Sequence, residues 1–330
     1  MRPTEAVDTR SALAITLLFT VRGFVANTDF DWYQFLRARP ELREVNFWRP
    51  SQGRFGALQS GELFFFKLKA PHNAIGGFGL FTRAAVLPIW EAWDVFGLAN
   101  GVADRDSLLV RLGRLSHSAG KGITIDDWIG CLAIAEPVFF PPDSWVPVPS
   151  DWSRSIVSGK GYDLMTGEGR RLYEACLEAA AATERVAEWS AEALSAARLG
   201  KPLEVRPRLG QATFRIAVLD AYSRRCAITG ERSLPVVEAS HIRPFSHGGA
   251  HTVPNGLPLR RDIHRLFDLG YVSVRPDRSF AVSRALRDEY ENGRIYYEMD
   301  GTRVSDPTHP GDRADPALLE WHYEEVFRQS

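Results

Sequence analysis

The sequence predicts an α+β protein of two modules joined by a helix. Aromatic residues crowd the first half, where seven of the nine tryptophans lie between Trp32 and Trp152. Short apolar runs punctuated by Gly and Pro alternate there with short helical patterns, the texture of a small β-barrel with flanking helices. Near the C-terminus a strand, a loop, a second apolar run and a helical pattern carry a His/Asn/His series from His241 to His264. A chain of 330 residues holds about two domains at roughly 150 residues each. The boundaries expected are 1–165 for the aromatic module, 166–200 for the connector and 201–330 for the second module.

The elements follow in order. Ala12–Val25 is apolar and β-branched, hence strand. Asp29 can cap a helix whose apolar face is Trp32, Phe35 and Leu36. Asn46–Ser51, NFWRPS, reads as a loop. Leu63–Leu68 and Ile75–Val86 read as strands; Gly76, Gly77 and Gly79 in the second mark a bulge or a close approach of another backbone. Pro88 opens a helix that Gly101 ends, Arg105–Leu115 forms another, and Ile129–Phe140 returns to strand. Glu168–Leu199 is Ala-rich and charged, with Leu172, Ala175, Cys176 and Ala179 on one stripe, and is expected to be the helical connector. Pro316–Phe327 predicts an amphipathic helix packed on the second module.

Composition narrows the function. Forty basic and 41 acidic residues leave a net charge of −1, so a nucleic-acid site must be a local patch. Residues 198–232 supply one, with eight basic residues against three acidic. Cys131, Cys176 and Cys226 form no CxxC pair, which argues against a disulfide framework and against structural zinc. The run Ala12–Phe19 is too short to span a membrane, and acidic Glu5 and Asp8 before it make a poor leader. A cytoplasmic protein is expected.

The chemistry concentrates in Ser240–Asp268. Leu234–Ser240 predicts a strand ending at His241, and Asn255-Gly256 a tight turn. His264 and Asp268 stand at i and i+4 on a helix, one turn apart on one face, as two ligands of one metal require. A neutral imidazole suits proton abstraction near pH 7, and a cation can neutralise charge developing on phosphate. Arg243, Arg260, Arg261 and Arg265 flank the stretch, and the first three are taken as phosphate contacts. His247 and His251 lie in a Gly-rich loop and read as solvated; Phe245, Leu257, Leu259, Leu266 and Phe267 read as the scaffold.

The run EASHIRPF…GG…NGLPLRRDIHRLFD resembles the HNH endonucleases of the ββα-metal type. The resemblance implies that His241 is the general base, that Asn255 holds the loop and orients His241, and that His264 binds a divalent cation, Mg²⁺ or Mn²⁺. Asp268 fits as a second ligand. Ser240 stands where many relatives carry an acidic or histidine ligand, so the third contact is open between water, Ser240 and Glu238. Cys226 stands where a zinc knuckle would begin, but Gly230 follows where its partner would be.

The first half, with VANTDFDWYQFL…EVNFWRPS…GELFFFKL…NAIGGFGLF…GKGYD, is similar over about residues 10–165 to PUA-superfamily modules of the EVE/ASCH-like and SRA-like kinds. That implies a pocket for a flipped, modified base, read by stacking and by hydrogen bonds to its edge. The residues expected there are Trp48 for stacking, Arg49 and Ser51 for phosphate or base contacts, Asn73 for an edge, and Trp152. Together the resemblances imply a modification-dependent restriction endonuclease acting on double-stranded DNA with modified cytosine, working as a homodimer. Two rivals stand beside it: an HNH nuclease without modification dependence, such as a toxin or defence effector, and a modified-nucleic-acid binding protein with an inactive HNH domain.

Overall fold

The computed structural model describes residues 22–50, 52–115, 122–181 and 210–329. The strand expected within 12–21, residue 51 and most of the connector lie outside them. The described chain is α+β. Its first module runs β1 (Arg22–Thr28), α1 (Phe30–Arg37), β2 (Glu44–Arg49), β3 (Leu63–Leu68), β4 (Ala74–Pro88), α2 (Ile89–Phe96), α3 (Arg105–Leu115), β5 (Trp128–Phe139), β6 (Val146–Pro147), β7 (Gly159–Asp163) and α4 (Gly167–Ala181). These strands form one sheet in the order β2-β5-β4-β3-β1-β7, with β6 beside β4. The β1–β3 pair is parallel, and the other pairs are antiparallel.

The sheet separates two apolar layers, which is why LFFFKL is apolar at almost every position. Phe64 and Phe66 face one layer with Trp32, Val45 and Trp48; Leu63 and Phe65 face the other with Leu172, Tyr173 and Cys176. The long β4 shifts register twice against β5, between Phe78 and Leu80 and between Phe81 and Arg83. Such shifts bend a strand. A Cβ at Gly77 would lie 2.1 Å from the Val138 carbonyl oxygen, the close backbone approach that the glycine cluster predicts.

Two expectations change here. Residues 46–49 are strand, not loop: β2 pairs with β5 from Glu44↔Ala135 to Arg49↔Gly130. Its buried Asn46 donates from Nδ2 to Asn100 Oδ1 at 2.9 Å, a partner far away in sequence. The described part of the expected connector, α4, packs its Leu172, Tyr173, Cys176 and Ala180 into the second layer and so belongs to the core of the sheet.

The second module begins with α5 (Gln211–Ala221). The hairpin β8 (Val237–His241) and β9 (Gly256–Arg260) follows, then α6 (Arg261–Asp268), the pair β10 (Val272–Val274) and β11 (Phe280–Val282), short helices α7 (Ala285–Tyr290) and α8 (Arg294–Tyr297), and α9 (Pro316–Glu325). Val237, Leu257, Leu259, Ile263, Phe267 and Leu319 share its core. The last helix starts on Asp315, whose side chain accepts from Ala317 N at 2.9 Å, with Pro316 at its first position. No helix among the described residues is long and apolar enough to cross a membrane.

The two cores meet on α5. Ala212 and Ile216 belong to the first, Leu219 and Ala221 to the second. The open N–H groups at the start of α5 are filled by a carboxylate from the sheet. Glu44 accepts from Ala212 N at 3.0 Å, from Thr213 N at 3.2 Å and from the Thr213 hydroxyl. Burial pushes the Glu44 carboxyl up, and the bonds from Thr213 and Ala212 oppose it. Thr82 meets the Thr213 hydroxyl at 2.9 Å, Arg83 pairs with Asp220 at 2.9 Å, and Arg224 pairs with the buried Glu91. Glu44→Ala removes the cap and strands those donors. It is expected to cost about 2 kcal/mol in urea unfolding of the full chain.

On α9, His322 is buried, stacks on Phe267 at 3.6 Å, donates from Nε2 to the Phe267 carbonyl at 3.1 Å and accepts at Nδ1 from Ser273 Oγ at 2.8 Å. Burial pushes it down to about 4, against the Phe267 bond, which raises it. A depressed pKa makes this contribution complete above pH 6.5 and progressively lost as pH falls toward 4. The full loss is roughly 3 kcal/mol. The thermal midpoint should therefore fall across pH 6.5 to 4 in the wild type, and fall less in His322→Gln.

Candidate active site

The strand pair β8–β9 places His241 opposite Gly256, and α6 follows β9 directly. Residues 237–268 thus form a hairpin with a helix across it. Gly256 is extended, at φ −132°, and begins a strand. The tight turn expected at Asn255-Gly256 is instead a 3₁₀ turn over Val253–Asn255, set by Pro254.

His241 lies flat against Phe214 of α5, with ring centroids 3.8 Å apart at 10°. Its Nε2 shares a hydrogen bond of 2.9 Å with Nδ1 of His251. Burial, then the neighbouring His251 and His264, push His241 down to about 4, so the ring is neutral near pH 7. The side-chain hydrogen bonds of Asn255 go to the loop backbone and not to the His241 ring. Its buried amide accepts from Arg243 N at 2.9 Å and donates to the carbonyls of Arg243 at 2.9 Å and Ala250 at 2.8 Å. It clamps both ends of the loop between the two imidazoles.

On α6, His264 Nδ1 donates to Glu238 Oε2 at 2.8 Å, and its Nε2 lies 3.5 Å from Asp268 Oδ2. Burial raises the Glu238 carboxyl, but the bonds from His264 and Arg261 outweigh it and hold the group below its usual range. Burial also raises Asp268, opposed by His264 and Arg265. Glu238, not Ser240, is the side chain of β8 that reaches His264. Ser240 is fully buried, and its hydroxyl lies 3.4 Å from the His241 carbonyl. The two carboxylates approach opposite nitrogens of His264, and among the described residues no three His, Cys, Asp or Glu side chains form a ready metal cluster.

The expected phosphate contacts already have partners. Arg260 pairs with Asp262 at 2.7 Å, Arg261 with Glu238 at 2.7 Å, and Arg243 donates to the His247 carbonyl at 2.7 Å. Arg261 is the most open of the two paired arginines, its side chain 68% exposed against 30% for Arg260. Phe245 is 62% exposed and stacks on His251 at 5.2 Å, so it is no part of the buried scaffold. His251 is not a solvated loop residue. The sequence signal for it is the glycine pair: a Cβ at Gly249 would lie 1.8 Å from the Arg243 carbonyl oxygen, and only a bare backbone lets the loop fold back here. Cys226 is buried, and its sulfur accepts from Arg260 N at 3.3 Å.

The expected base-binding residues divide. Trp48 and Arg49 line a cavity of about 520 Å³ together with Trp32, Phe47, Phe55 and Asn27. Trp48 is only 7% exposed, its indole N–H donating to the Asn100 carbonyl at 2.9 Å. Asn73 and Trp152 do not line this cavity; both meet Lys67, which donates to Asn73 Oδ1 at 3.2 Å and lies 5.5 Å from the Trp152 ring centre. In the sequence Trp32 reads as the apolar face of a helix, and nothing there marks Phe47 or Phe55 as cavity residues.

Residues 226–275 match the family model described as HNH endonuclease. No curated protein matches the chain. Among solved structures, ASCH from Zymomonas mobilis aligns at 12% identity, covering 46% of this chain and 94% of its own, with a TM-score of 0.28. A point mutant of that protein gives 10%, 46%, 96% and 0.31. The modification-dependent TagI restriction endonuclease aligns at 12% identity, covering 79% of this chain and 60% of its own, with a TM-score of 0.26.

Replacing Asn255 by Ala takes their side-chain partner from the Arg243 N–H and the Arg243 carbonyl, while the Ala250 carbonyl keeps only Thr252 N. It is expected to cost roughly 3 kcal/mol in urea unfolding, with the near-ultraviolet signal of the loop aromatics lost first.

Proposed function

We propose that this chain, whose residues 226–275 are an HNH endonuclease domain, is a modification-dependent restriction endonuclease with His241 as its general base. The carrying observation is the neutral, desolvated His241 held on Phe214 beside a helix that bears His264 between two carboxylates. In the reaction, one proton of a water passes to His241 while the water oxygen bonds to phosphorus. The bond from phosphorus to the leaving sugar oxygen breaks, and that oxygen takes a proton from solvent. Arg261, with Arg243 and Arg260, would hold the flanking phosphates by exchanging their present partners for phosphate oxygens.

A divalent cation that keeps several waters, Mg²⁺ or Mn²⁺, would be held by Nε2 of His264 with Asp268, while Glu238 accepts from Nδ1 of His264 and orients the ring. Such a cation supplies charge neutralisation on the phosphate and leaving oxygen. The cavity beside Trp48 and Arg49 supports a reading in which the first module accepts a flipped base, a modified cytosine, between aromatic rings. Asn73 and Trp152 would contact the DNA apart from the base. Cutting both strands requires two copies, hence a dimer on DNA.

The opposed placement of Glu238 and Asp268 on His264 favours one second reading, a modified-DNA binding protein that does not cut. Digestion separates the readings. Plasmids with plain, methylated, hydroxymethylated or glucosylated cytosine are incubated with the full chain in Mg²⁺ or Mn²⁺. Cutting of a modified plasmid alone is expected, with at least a hundredfold loss in His241→Ala and His264→Ala. Trp48→Ala is expected to erase the preference. Equal cutting of all plasmids would remove the modification dependence, and retention of modified DNA without cutting would establish the second reading.

A further inference from the structure

The loop between β8 and β9 does more than close a hairpin. It turns back through Gly248, at φ 81°, and Gly249. Asn255 holds the Ala250 carbonyl at 2.8 Å, which fixes the backbone immediately before His251. Phe245 stacks on the His251 ring at 4°, and Phe214 lies 3.8 Å from His241 and 5.7 Å from His251. Both imidazoles are therefore fixed in place by aromatic rings, and the bond between Nε2 of His241 and Nδ1 of His251 has a defined geometry.

That bond constrains the proton. Between two neutral rings it holds one hydrogen, and there are two ways to place it. With the hydrogen on His251 Nδ1, the Nε2 lone pair of His241 is consumed and its Nδ1 carries the other hydrogen. His241 then has no free lone pair and is no base. With the hydrogen on His241 Nε2, Nδ1 of His241 is free to take a proton and His251 Nδ1 is the acceptor. When His241 takes that proton, the imidazolium still donates through Nε2 to His251. Burial lowers the affinity of His251 for a proton, which keeps its Nδ1 lone pair available.

We propose that His251 is the positioning residue of the nuclease site, accepting the Nε2–H of His241 and so holding Nδ1 of His241 as the basic nitrogen. The proposal rests on the reading of His241 as general base. It assigns to a second imidazole the task that a carboxylate or a carbonyl performs beside other catalytic histidines. Partners of this kind commonly change activity tenfold to a hundredfold when removed.

Two measurements on the full chain test it. The first needs no cleavage: long-range ¹H–¹⁵N correlation on histidine-labelled protein reads the tautomer of His241. An Nε2–H ring in the wild type and a mixture in His251→Ala are expected; an Nδ1–H ring in the wild type overturns the proposal. The second is steady-state cutting, in Mn²⁺, of the plasmid that the wild type cuts. His251→Ala should lower kcat about tenfold to a hundredfold with KM for DNA changed less than about twofold. His251→Asn, which offers an oxygen acceptor at the place of Nδ1, should recover most of the loss. Wild-type kcat in His251→Ala, at an unchanged thermal midpoint, overturns the proposal and leaves His241 as base. Undiminished cutting by His241→Ala would instead remove the general-base reading, and the proposal with it.

Discussion

The first turn of α5 has N–H groups that nothing in its own module satisfies, and the Glu44 carboxylate of β2 satisfies them. The rest of the arrangement depends on that one contact. It fixes the helix against the sheet with Ala212 and Ile216 in the first core, and this sets which faces remain for the second. Thr213 then faces the sheet, while its neighbour Phe214 faces His241. Two adjacent residues of one helix thus touch the sheet of one module and the imidazole of the other. Gly210, just before the helix, has no room for a side chain: a Cβ there would lie 2.3 Å from Glu44 Oε2.

The site itself balances burial against bonding. At His241 burial dominates and the ring stays neutral. At Glu238 the bonds from His264 and Arg261 dominate and the carboxylate stays charged. A neutral imidazole ends strand β8, and a charged Glu238 of the same strand is bonded to His264 of the helix that follows the hairpin. That division of labour is what hydrolysis of a charged diester asks of a small site: one group to take a proton and another to answer negative charge.

Much of this was legible in the sequence, where the cause was local. Runs such as LFFFKL and the His264–Asp268 spacing state their own geometry, and the glycines of β4 marked a real backbone approach. What was not legible depends on distant partners. Asn46 and Trp48 look like loop residues until Asn100 is placed beside both. Phe245 looks like scaffold until His251 arrives to stack on it. Glu238 and Ser240 could not be ranked as neighbours of His264, because the pairing register decides it: Glu238 lies opposite Leu259, nearer the helix that follows β9, and Ser240 opposite Leu257. The pattern of α4 showed a buried stripe but not that the sheet of the first module buries it.

Shared ownership of α5 bears on how such a protein can be inherited. The two modules look like separable beads in sequence, yet each carries buried acids, Glu44 and Glu91, or basic and hydroxyl groups, Arg224 and Thr213, whose counterparts lie in the other. Recombination that exchanged the first module for an unrelated one would leave these groups dry and unmatched. Descent should therefore pass the two halves on as a matched set, with changes at the seam fixed in pairs, while the cavity around Trp48 is free to diverge.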